Sequence, residues 1–149
     1  MSADADVLAR GRAAAERSTP AGGRVTSERA ILAAQGAYFA ATGLWPIFHM
    51  RSFEAITGPK VDRWLVKTVG LCIACIGGTL LAAARHDRVT PEIRGLAISS
   101  ASALAAIDVY YSATGRISPI YLADAVAEAG LIAGFVREGR RAGRVPTPG

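Results

Sequence analysis

Trp64-Leu-Val-Lys-Thr-Val-Gly-Leu-Cys-Ile-Ala-Cys-Ile-Gly-Gly-Thr-Leu-Leu-Ala-Ala-Ala84 holds one charge, Lys67, in 21 residues. As an α-helix it reaches roughly 31 Å, the hydrocarbon thickness of a bilayer. A soluble core helix of that length shows a polar stripe every three or four residues, and this one does not. The stretch therefore reads as a membrane span, and its neighbours repeat the pattern. About 30–50 carries no acid, lysine or arginine, about 95–114 carries only Asp108, and about 119–136 carries Asp124 and Glu128. The last is the least apolar of the four. The fold class that follows is all-α, a polytopic four-transmembrane-helix bundle over residues 30–137. A disordered, cytoplasmic N-terminal tail over 1–29 and a basic cytoplasmic tail over 138–149 flank it.

Composition agrees. Of the 149 residues 51% are apolar and 19% charged, against about 25% charged in soluble domains. The net charge of +5 comes mostly from tail arginines that flank apolar runs. Anionic lipid headgroups are the expected partner of such bases. No nucleic-acid motif is present, and no cofactor is expected. The first 29 residues mix acids with five arginines around no apolar centre, unlike a secretory signal. Helix-start chemistry marks the loops. Thr90-Pro91-Glu92 reads as a cap, a first-turn proline and a first-turn acid. Ser118-Pro119 repeats the device, and Asp62 is a third cap. Gly58-Pro59 closes a short stretch in which Phe53 and Ile56 would lie along the membrane surface.

Lysine and arginine counts orient the chain. The N-tail, the second loop and the C-tail hold 12 of them, and the first and third loop regions hold 5. The richer side is expected to be cytoplasmic, so that the chain lies in a bacterial inner membrane with both termini in the cytoplasm and Gly58 and Gly115 outside. Trp45, Phe48, Phe53, Trp64, Tyr110, Tyr111 and Tyr121 gather near the outer boundary, where aromatic side chains anchor spans.

Charges buried in the spans are the candidate site. Asp108 lies roughly 9 Å from the outer end of the third span and Asp124 roughly 7.5 Å into the fourth. Lys67 enters the second span at similar depth, and Glu128 is one turn deeper than Asp124. A charge at mid-span is costly, about 2.5–3.5 kcal/mol on the insertion scale, and facing charges remove most of that. The reading is therefore a Lys67–Asp108–Asp124 cluster, with Glu128 as an acid lacking an evident cation. The cluster either forms a site for a ligand or protons or holds the helices in register. Lys67, Gly70, Ala74 and Gly78 share a small-residue face suited to close packing. Gln35, Tyr38, Thr42, Pro46 and His49 form a polar stripe on the first span. Gly130 and Gly134 read as a contact within the bundle or in a homodimer.

Cys72-Ile-Ala-Cys75 has the spacing of a redox pair. It lies mid-span, without the helix N-terminus that activates a thiol, so two small buried packing residues are the alternative. His49 and His86 fall at opposite ends and make no metal site.

Taken together, the span count, Trp45-Pro46, the Phe53-Glu-Ala-Ile-Thr-Gly-Pro59 loop and the acid in the last span resemble small bacterial membrane proteins of the broad DoxX-like kind. The resemblance covers about residues 30–137. It implies a four-helix membrane fold, and for some members a part in membrane redox systems, but no catalytic residue. The functional expectation is a non-enzymatic bundle that binds a partner protein, lipid or small apolar ligand through its outer half. The alternative is a redox or proton-coupled subunit using Glu128 or Cys72/Cys75.

Overall fold

The computed structural model describes residues 19–142, with side chains from Ser27 to Arg140. Five helices follow in order: α1 (Thr19–Phe48), α2 (Met50–Thr57), α3 (Arg63–Arg85), α4 (Pro91–Ala113) and α5 (Tyr121–Ala142). The described residues contain no strand. Three segments are long and apolar enough to cross a membrane, Ser27–Phe48, Arg63–Arg85 and Pro91–Ala113. That is the build of a membrane protein. α5, which holds Asp124, Glu128 and Glu138, falls short of the same measure.

The helices overrun the apolar limits read from the sequence. α1 begins at Thr19, so residues 19–29 are helix rather than tail. Once a helix is nucleated, each added residue gains a hydrogen bond, and the polar lead-in extends a packed span. Residues 1–18, the rest of the expected disordered tail, lie outside the described residues. α5 likewise continues through 138–142 of the expected basic tail, and 143–149 lie outside the description.

Caps separate the loops. Thr90 accepts from Ile93 N at 3.3 Å, ahead of Pro91. Asp62 makes no side-chain cap. Ser118-Pro119 forms a turn in which Tyr121 N donates to Ser118 O at 3.1 Å, and α5 starts at Tyr121, two residues late. α2 folds back on α1 because His49 breaks the helix (φ −143°, ψ 63°). Trp45 Nε1 then donates to Ser52 Oγ at 2.7 Å, and the Trp45 and Phe53 rings meet edge to face. After α2, Gly58 turns the chain with φ +87°, a region open chiefly to glycine.

α1 runs antiparallel to α3, and α4 pairs with α5. The pairs join through α1 and α5, while α3 and α4 barely touch. Glycines set the first pairing. Gly36 faces Gly77 and Gly43 faces Gly70, so that a Cβ on any of the four would come within 3 Å of opposing backbone. Between helices in lipid, dispersion at such close approach replaces the hydrophobic drive. The expected small-residue face is therefore corrected: it runs through Gly70, Ala74 and Gly77, whereas Gly78 looks onto open space. On α5, Gly134 rests against Ile31 and Gly130 meets nothing.

One end of the bundle is solid. Leu32, Leu80, Ala84, Ala97 and Phe135 form a buried cluster near the α3–α4 turn. Gln35, fully buried, donates from Nε2 to Ala97 O at 2.8 Å and ties α1 to α4. Arg94–Glu28 at 2.5 Å and Arg29–Asp87 at 2.6 Å close that end. The other end, beneath α2, is hollow.

Candidate functional site: an apolar cavity with three carboxyls

A cavity of about 500 Å³ opens where α3 and α4 fail to meet. α1 supplies Phe39, Thr42, Gly43 and Pro46, and α2 supplies Phe53. α3 gives Leu65, Val66, Val69, Gly70 and Ile73. Leu104, Ile107 and Asp108 come from α4, and Tyr121, Asp124 and Glu128 from α5. Its surface is mostly hydrocarbon. The size suits a small ligand, and sites of that kind are apolar with a few fixed polar groups.

Those polar groups are acids. Asp124 Oδ1 accepts from the Tyr38 hydroxyl. Asp108 lines the same cavity as Asp124. Glu128 is completely buried, and among the described residues neither of its oxygens has a hydrogen-bond partner. Asp108 Oδ2 is also buried and unpartnered. Helix period explains the convergence: Tyr121, Asp124 and Glu128 recur at three and four residues on one face of α5.

Lys67 does not join them. It is exposed, and it takes part in none of the three ion pairs among the described residues. The reason is rotational. With Gly70 fixed against α1, Val66, Val69 and Ile73 fall on the cavity side of α3. At about 100° per residue, Lys67 falls roughly 60° to the other side. Depth alone, the basis of the expected cluster, does not set that angle. Cys72 and Cys75 are free and exposed on the face of α3 opposite Gly70 and Gly77, so they are not packing residues of this bundle and do not reach the cavity.

Sequence reasoning missed the mouth. A second, smaller cavity of about 260 Å³ shares Thr42, Phe53, Tyr121 and Asp124 with the first and extends under α2. The Lys60 ammonium sits over the rings of Phe53 and Tyr121, 5.9 and 5.0 Å from their centres, and donates to Thr57 O at 3.1 Å. Nothing in the spacing of Lys60 signals this. Beside it, Arg63 grips Glu54 with two hydrogen bonds of 2.8 and 2.7 Å. Those bonds hold the Glu54 carboxyl below its ordinary pKa. Phe53 thus turns toward both cavities, while Ile56 borders only the smaller one and stays half-exposed.

Compared with known proteins, the chain matches no family model, no curated protein and no solved structure.

Proposed function

We propose that the chain is a multi-pass protein of the bacterial inner membrane in which α1, α3, α4 and α5 all cross the bilayer, both termini being cytoplasmic. On this reading it is a non-enzymatic bundle whose outer half receives a small apolar ligand. The plan is that of the DoxX-like proteins the sequence resembles, and no residue role is carried over from them. Asp124 and Glu128 lower the hydropathy of the part of α5 that would lie in the membrane. α5 crosses because those acids face the cavity rather than lipid. The arginine asymmetry sets the orientation and puts the hollow end outside.

The observation that carries the binding role is the cavity itself. A bundle stabilised only by packing has no reason to stay hollow over one half and solid over the other, since an unfilled void forfeits dispersion contacts. The fissure between α3 and α4 gives an apolar molecule a route from the bilayer. Photolabelling of the membrane-embedded protein with neutral benzophenone tests it. Adducts should concentrate at Val66, Ile73 and Leu104, inside the cavity, over Leu71, Val109 and Val126 on outward faces. Adducts spread evenly over all six would mean simple lipid partitioning, and the proposal would fail.

A second reading, a proton-coupled subunit, draws on a chain of acids, Asp124 bonded to Tyr38 with Asp108 and Glu128 lining the same cavity. Its thiol branch needs Cys72 and Cys75, which lie outside that chain. Under our reading Cys72→Ala with Cys75→Ala leaves photolabelling unchanged.

A further inference from the structure

We infer that the ligand carries a positive charge: the cavity is built for a monocation, an amine or quaternary ammonium, attached to an apolar body. The inference rests on the ligand-binding reading above and narrows its chemistry. Three observations support it. Glu128 is fully buried, lines the cavity, and has no partner for either oxygen among the described residues. Asp108 and Asp124 line the same space, and among the described residues no lysine or arginine does. The rings at the mouth, Phe53 and Tyr121, already hold the Lys60 ammonium over their faces, so the site's aromatic groups are posed for a cation.

The physical argument is one of missing partners. Acids inside a span are stable when they pair or reach water. Here the residue that the sequence offered as the counter-ion, Lys67, points away. A ligand whose charged head lies among Glu128, Asp108 and Asp124 supplies the partner, and hydrocarbon walls from α3 and α4 receive its body. A lipid-soluble cation meets both demands at once. A neutral ligand without a hydrogen-bond donor leaves the Glu128 carboxylate with no group to bond.

The test uses three photoprobes built on one benzophenone core on the full-length protein purified in detergent, with protein-free micelles as the blank. They are (4-benzoylbenzyl)trimethylammonium, neutral benzophenone and anionic 4-benzoylbenzoate. The cation should label Val66, Ile73 or Leu104 at a half-saturating concentration at least about tenfold below that of either other probe, the least expected of a desolvated charge pair. Glu128→Gln, equal in shape, should remove that advantage and leave benzophenone labelling unaltered. Equal labelling of the cavity by cation and neutral probe in the unaltered protein would overturn the charge inference while leaving the cavity a binding site. Failure of all three probes to label it would overturn both. If Glu128→Gln does not fold, the comparison of probes on the unaltered protein still decides.

Discussion

At the scale of single residues, hydrogen-bond partners and rotation about a helix axis decide roles that charge alone does not. The Tyr38–Asp124 bond joins α1 to α5 inside the bundle. A double-mutant cycle with Tyr38→Phe and Asp124→Asn should give a coupling of about 0.6–1.7 kcal/mol, the range for such bonds between spans. Additive effects would show that the bond contributes nothing. Lys67→Met should change stability by no more than about 0.5 kcal/mol, as for a surface site away from partners. A loss of folded protein on that change would restore the ion-pair reading. Glu54 has a defined pH response. Its carboxyl is held low by Arg63, so the stability it adds is fully present above its ordinary pKa near 4.5. That stability is lost as the pH falls through the lower folded value. In Glu54→Gln the unfolding midpoint should lose this acid-side component and keep the rest of its profile. Of these residues, the acids were legible because ionisable groups within apolar runs stand out. The fate of Lys67 was not, because a one-dimensional pattern fixes height along a helix before it fixes direction.

At the scale of helices, the α1–α3 pairing determines which faces the remaining elements meet. Gly36 and Gly43 on α1, and Gly70 and Gly77 on α3, have the same seven-residue spacing and meet as two antiparallel pairs. Both spacings stand in the sequence and predict the contact once read together. Reading α3 alone led to Gly78, one residue off the true face. Gly43→Val or Gly77→Val should destabilise by about 1–3 kcal/mol or more, since the added atoms meet backbone that has no other rotamer to adopt. Gly78→Ala should cause no loss. Thermal unfolding in detergent distinguishes them, and equal effects at Gly77 and Gly78 would contradict the described packing. The ends of the three segments long and apolar enough to cross a membrane were legible to within about four residues, whereas the α2 fold-back was not. It depends on Trp45, Ser52 and Phe53 meeting across a helix break that only the tertiary arrangement imposes.

For the whole molecule, the contrast between a solid end and a hollow end follows from how unevenly the four long helices meet. α1 and α3 are locked by glycines, α4 and α5 pair separately, and the gap between α3 and α4 becomes the cavity. The sequence told of four apolar segments and of acids at one level, and no pattern in it foretold a void. The central claim is a four-span bundle with the hollow end outside. Single cysteines placed at Val61, Arg88, Arg116 and Arg140 in a Cys72→Ala, Cys75→Ala background test it most directly, since all four positions are exposed. A membrane-impermeant maleimide applied to intact cells should label the cysteines at 61 and 116, and reach those at 88 and 140 only after the membrane is opened. Labelling at 88 from outside, or the same response at 116 and 140, would contradict the account: the first inverts the bundle, and the second removes α5 from the membrane.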